Sequence, residues 1–164
     1  MSFSFSPMDE TDARAVVEWL YPAPYDVYNL VSYDAESVMK ALTDPHYAYH
    51  AITDHKGGLV AFCCFGTDAQ VPGGDYALPA IDIGLGVRPD LTGQGRGQTF
   101  ISAVLEFERV RYGASTARVT IAAFNARAQR VWQKAGFRFV QRFRRQSDGI
   151  PFLILLRECQ ELIP

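Results

Sequence analysis

The chain is poor in cysteine: it has three in 164 residues. Cys63 and Cys64 are adjacent inside an apolar run, and Cys159 stands near the C-terminus. An odd count without CxxC spacing argues against a disulfide framework and against a zinc site. The thiols read as small buried hydrophobes, a usage that fits a cytoplasmic location. Excess positive charge is also missing. The formal net charge is −2, so no nucleic-acid partner is expected. Long hydrophobic runs are absent; "LVAFCCF" and "FLILL" are far too short to span a bilayer, so no membrane partner is expected. The opening "MSFSFSPMDE" has neither a basic n-region nor an apolar h-region, and no secretory signal is expected there. His46, His50 and His55 lack a helical metal-ligand spacing, so no metal is expected.

What is present describes an ordinary folded domain. Hydrophobic residues make up 48% and charged residues 21%, well outside the disordered regime. There is no internal repeat, low-complexity tract or linker-like shift, and one domain is expected over 1–164. "FSFS" at 3–6 alternates as a short strand does. Residues 9–20 place Ala13, Val16, Val17 and Leu20 on one helical face, and Pro22 and Pro24 stop that helix. A second helix is predicted over about 34–43. "HYAYHAITD" and "GLVAFCCFG" read as two strands around a Lys56-Gly57-Gly58 turn. "AIDIGLGV" at 80–87 is a third long strand.

A helix over about 94–112 follows, burying Phe100, Val104 and Phe107, with Gly113 past its end. "ARVTIAAF" is a strand. "NARAQRVWQKAGF" is a helix capped by Asn125, with Val131 and Trp132 inward and Gly136 closing it. Strands near 137–145 and 150–157 turn at Ser147-Asp148-Gly149. In the first, Phe137, Phe139 and Phe143 alternate with Arg138, Arg142 and Arg144, the pattern of a half-buried strand. The order is β-α-α-β-β-β-α-β-α-β-β, a mixed α/β domain.

The stretch "RPDLTGQGRGQTF" at 88–100 carries the most chemistry. Gly93, Gly95 and Gly97 lie on alternate positions directly ahead of a helix. Glycine tolerates positive φ and has no Cβ, so successive main-chain N–H groups can converge on a ligand. A helix N-terminus adds free N–H groups and about half a positive charge. The combination suits an anion, most simply phosphate, and Arg96 can add a charge-assisted contact. The Walker pattern fails, because no Lys-Ser/Thr pair follows the loop. The dinucleotide pattern GxGxxG fails as well: from Gly93 it requires glycine at Gln98, and from Gly84 at Pro89. A sharp structural turn without a ligand is the plainer alternative.

The segment "IGLGVRPDLTGQGRGQTFISAVLEF" resembles the acetyl-CoA-binding motif of the GNAT superfamily of N-acyltransferases, in which Q/R-x-x-G-x-G/A joins a strand to a helix. Thr92 departs from the usual Gln or Arg. "FNARAQRVWQKAGF" resembles the family's second element, N-x-x-A-x-x-x-Y-x-K-x-G-F. The resemblance implies a mostly antiparallel central sheet with flanking helices, and acetyl-CoA as co-substrate. It implies that Gly93, Gln94, Gly95, Arg96, Gly97 and Gln98 hold the coenzyme A pyrophosphate. Leu85, Gly86 and Val87 would offer main-chain contacts to the pantetheine arm at a splayed strand. Gly84 and Gly86 suit a bulge or a close backbone approach. Asn125 would touch the arm as well as cap its helix.

The implied reaction moves an acetyl group from a thioester to an amine. A Lys-like amine needs about 4.6 kcal/mol to reach its neutral form at pH 7, whereas a thiol leaving as thiolate falls short by only about 2 kcal/mol. A base therefore matters more than an acid. Asp82 is the candidate base, with a structural Asp as the alternative, since one residue of shift reverses a strand face. A main-chain N–H freed at the splay, that of Val87, is the candidate oxyanion donor. Trp132 stands where the family usually has a tyrosine that protonates the thiolate, and indole cannot supply that proton. Tyr25 and Tyr28, in "YPAPYDVYNL", are candidates for the acceptor pocket, and Asp26 for attracting a cationic amine. The acceptor expected is a small amine or a peptide N-terminus; a homodimer stays open. A non-catalytic acyl-CoA sensor is the rival reading.

Overall fold

A computed structural model describes residues 2–159; residue 1 and residues 160–164, which the single-domain expectation also spans, lie outside that range. The strands are β1 (Ser4–Pro7), β2 (His50–Thr53), β3 (Leu59–Phe65), β4 (Ile81–Val87), β5 (Thr116–Ala122), β6 (Arg138–Arg144) and β7 (Pro151–Glu158). The α-helices are α1 (Glu10–Val17), α2 (Ala35–Thr43), α3 (Gly97–Arg111) and α4 (Ala126–Lys134). Their order in the chain is the order expected from the sequence. The strands line up as β1-β2-β3-β4-β5-β7-β6. The β1–β2, β2–β3, β5–β7 and β6–β7 ladders are antiparallel, and β4–β5 is parallel. The fold is the mixed, mostly antiparallel α/β architecture expected.

The described residues form two compact units, 2–64 with 85–96, and 65–84 with 97–159. Strand β4 contributes its second half to the first unit and its first half to the other. In the first unit, Asp9 caps α1 by accepting the Asp12 N–H at 2.8 Å, and Asp34 caps α2 by accepting that of Ser37 at 2.9 Å. Each cap satisfies a donor that the first turn of a helix leaves over. The inward faces carry Ala13, Val16 and Leu42, which cluster with Met8. Helix α1 is shorter than the sequence reading. The N–H groups of Glu18 and Trp19 reach back only three residues, to Ala15 and Val16, so the chain leaves the helix before Leu20, which stays 59% exposed. Residues 46–49, read as strand, begin instead with a one-turn helix, Pro45–Tyr47. Asp44 caps it at the His46 N–H.

In the second unit β7 is central, with Ile154 and Leu155 fully buried. Helix α3 buries Phe100, Ile101 and Val104 as its period requires. At the next turn the buried residue is Glu108, whereas Phe107 is only partly covered. A carboxylate is tolerated there because it accepts the Ala114 N–H at 3.0 Å. Phe139 was expected inward and is 54% exposed. A register shift between Phe139 and Gln141 inserts an extra residue, which breaks the period of two on which the expectation rested.

Candidate functional site

The candidate site is built on the passage from β4 through residues 88–96 into α3. At the end of β4 the Val87 carbonyl accepts the Tyr21 hydroxyl at 2.7 Å. The next N–H, of Arg88, donates to the Val60 carbonyl on β3 at 2.9 Å. The Arg88 guanidinium pairs with both oxygens of Asp90 at 2.6 and 3.1 Å and donates to the Leu59 carbonyl at 2.9 Å. A short helical turn, Pro89–Leu91, follows. Thr92 closes it: its hydroxyl donates to the Pro89 carbonyl at 2.8 Å. The Gln94 amide donates to the Asp90 carbonyl at 2.6 Å. These contacts fix the loop from within, and they give Thr92 a local role where the family pattern has Gln or Arg.

The glycines of the stretch are there for different reasons. Gly93 and Gly95 have φ of 70° and 74°, a conformation costly for residues with a Cβ. A Cβ on Gly95 would meet nothing within 4 Å, so conformation alone demands glycine there. Gly97 opens α3, and a Cβ on it would lie 3.1 Å from the Val131 side chain on α4. Gly86 is a matter of space too: a Cβ there would stand 2.3 Å from the Phe62 ring. Gly93, Gln94, Gly95, Arg96 and Gln98 are solvent-exposed. The loop thus leaves main-chain groups open to solvent, and it leads in the chain directly into α3, whose leading N–H groups have no partners within the helix.

Strand β4 pairs with β5 through Ile81↔Ala117 and Asp82↔Arg118. That second pair is an ion pair. Both residues are 3% exposed. Arg118 reaches the two carboxylate oxygens of Asp82 at 2.6 and 2.8 Å, and Gln70 donates to Asp82 at 2.9 Å. Arg118 also donates to the Leu78 carbonyl at 2.7 Å and lies 4.9 Å over the Tyr76 ring. Donating to the Asp82 carboxylate raises the Arg118 pKa, against burial, which lowers it. Asp82, the candidate base, is therefore held on both oxygens by fixed donors.

The other expected site residues fall as follows. Asn125 caps α4 by accepting the Ala128 N–H at 3.0 Å. Trp132 is 6% exposed and meets Phe137 edge to face at a centroid distance of 5.0 Å, a packing geometry aromatic rings favour. Tyr25 and Tyr28 bound a one-turn helix and are partly buried. Leu85 and Val87 are partly buried on β4. Among the described residues no group of three or more His, Cys, Asp and Glu side chains could hold a metal ion. Tyr21 was not among the candidates. It precedes a Pro-rich turn like any loop aromatic, and only the fold brings it to Val87.

A profile described as an acetyltransferase (GNAT) domain matches residues 5–138. No curated protein matches the chain. Among solved structures, a spermidine N-acetyltransferase chimera from Vibrio cholerae and hSSAT superposes with a TM-score of 0.73 at 12% identity, covering 95% of both chains. An aminoglycoside N(6')-acetyltransferase from Legionella pneumophila gives 0.72 at 18% identity, over 95% of this chain and 91% of that one. An acetyltransferase from Salmonella typhimurium, solved with acetyl-CoA, gives 0.66 at 16% identity, over 98% and 96%. The chain belongs to the GNAT acetyltransferase family.

Proposed function

We propose that this protein transfers an acetyl group from acetyl-CoA to a cationic primary amine, directly, in a ternary complex. The observation that carries this reading is the exposed 93–98 loop, with Gly93 and Gly95 in the left-handed region at the mouth of α3. Main-chain amides of Gly93, Gln94, Gly95, Arg96, Gly97 and Gln98 hold the pyrophosphate in this reading, and the Arg96 guanidinium adds charge. Main-chain groups of Leu85, Gly86 and Val87 meet the pantetheine arm. The Val87 N–H stabilises the oxyanion, and Asn125 meets the arm while capping α4.

On the acceptor side, residues 1–47 carry eight carboxylates against Arg14 and Lys40. Such a field favours the approach of a polyamine or an amino sugar over an acidic peptide. Asp26 lies in this segment, as do Tyr25 and Tyr28, which we assign to the acceptor pocket. The base role of Asp82 is weakened by its two occupied oxygens, so we give it a positioning role; the amine then enters as its neutral fraction, its proton already lost to the buffer. Tyr21 is a poor acid for the leaving thiolate: burial pushes its phenol up to about 12, above a thiol's ordinary value near 8.5.

Calorimetry and thiol release test the reading. Acetyl-CoA is expected to bind where ATP does not, and free thiol to appear when spermidine-like amines are added. No affinity for any acylated or free coenzyme A would overturn it. Binding without amine-dependent thiol release favours an acyl-CoA sensor, a reading motivated by the buried indole of Trp132 in place of a tyrosine.

A further inference from the structure

The peptide unit joining Val87 and Arg88 is held at both ends. Its carbonyl accepts the Tyr21 hydroxyl at 2.7 Å, and its N–H donates to Val60 at 2.9 Å. Since the Arg88 N–H faces β3, alternation along a strand turns the Val87 main chain the other way. Tyr21 therefore reaches the edge of β4 that faces away from β3. Its own position is fixed by Asn29, whose side-chain oxygen accepts the Tyr21 N–H at 2.8 Å and whose amide reaches the Tyr21 carbonyl at 3.5 Å. The Asn29 N–H in turn donates to the Asp26 carbonyl at 3.0 Å. Residues 21–29 thus form a closed loop ending in one hydroxyl on β4. Burial keeps that hydroxyl protonated at ordinary pH, so it remains a donor.

We infer that Tyr21 is a positioning residue for acyl transfer: its hydroxyl, clamped on the Val87 carbonyl, sets the orientation of the end of β4 and ties the 21–29 loop to the strand that receives the thioester. This rests on the proposed acetyl-CoA reading of β4. An arm laid along a strand edge draws on alternating carbonyl and N–H groups. With the Val87 carbonyl engaged by Tyr21, the contact we assign to that residue is its N–H, which suits the thioester carbonyl. The clamp therefore favours an acylated coenzyme over the free thiol, which has no such carbonyl.

The test is calorimetry of wild type and Tyr21→Phe with acetyl-CoA and, separately, with coenzyme A. Losing one hydrogen bond is expected to weaken acetyl-CoA binding about fivefold to tenfold. Coenzyme A affinity is expected to change less than twofold. Equal weakening of both ligands would reduce Tyr21 to a structural contact and overturn the inference, as would no change in either. Asn29→Ala, which keeps the hydroxyl but frees the Tyr21 main chain, is expected to give the same split at smaller size; it serves if Tyr21→Phe does not fold. Failure of wild type to bind either ligand would instead sink the acetyl-CoA reading, and this inference with it.

Discussion

At the scale of single residues, Asp82 is the position where the two expected roles, base and structural carboxylate, meet. A carboxylate on the strand of the reactive motif suggests a base, and both of its oxygens accept hydrogen bonds from Arg118. Burying two charges is costly, and the pair survives because each keeps further partners: Gln70 for Asp82, the Leu78 carbonyl for Arg118. Asp82→Asn leaves a buried guanidinium without a counter-charge and is expected to cost about 3 kcal/mol in urea unfolding. If Asp82 only positions, the pH–rate profile of the variant should run parallel to wild type between pH 6 and 9. Collapse of the low-pH limb alone would restore the base assignment. Trp132 belongs to the same scale. Its ring fills space beside Phe137, and the neighbourhood offers it packing.

Among elements, the junction of α3 and α4 is set by one missing Cβ. Gly97 lets Val131 approach to a distance that a methyl group would crowd, 3.1 Å from its nearest carbon. Val131 is β-branched within a helix and has little freedom to rotate away. Gly97→Ala is therefore expected to destabilise by about 1 kcal/mol or more despite alanine's better helix propensity. Val131→Ala in the same chain should return most of that loss, because it opens the space the methyl needs. A double-mutant cycle by urea unfolding checks this, and purely additive effects would show that the contact is not the cause. Gly86 reflects the same logic on β4, where the Phe62 ring, flanked by Trp19 and Tyr49, takes the place of a side chain.

For the whole molecule, several surface carboxylates titrate below their ordinary range. Hydrogen bonds lower them: from Ser37 to Asp34, from the Gly58 N–H to Asp54, from Arg88 to Asp90, from Arg109 to Glu106 and from Arg145 to Asp148. Asp12 moves the other way through burial. At the five lowered sites the unfolded chain holds protons more tightly than the folded one. Their contribution is complete above the unfolded values of 3.8 for Asp and 4.5 for Glu, and is lost as pH falls through the lower folded values. The urea midpoint is expected to stay flat from pH 7 to 5 and to drop between pH 4 and 3. A midpoint unchanged down to pH 3 would show that these contacts are not formed in solution.

The sequence by itself determined the element order, the caps at Asn125 and Gly113, and the strand–glycine–helix passage at 81–97. These are local matters: periodicity, capping chemistry and the φ a residue can adopt are written within a few neighbours. Only the tertiary structure decided that Asp82 meets Arg118 thirty-six residues on, that Tyr21 reaches Val87, and that Gly86 and Gly97 yield space to Phe62 and Val131. It also decided that a buried carboxylate at Glu108 ends the inner face of α3 and that a bulge turns Phe139 outward. Each of these depends on which distant group arrives at a given point, and side-chain type and spacing along a chain carry no record of that.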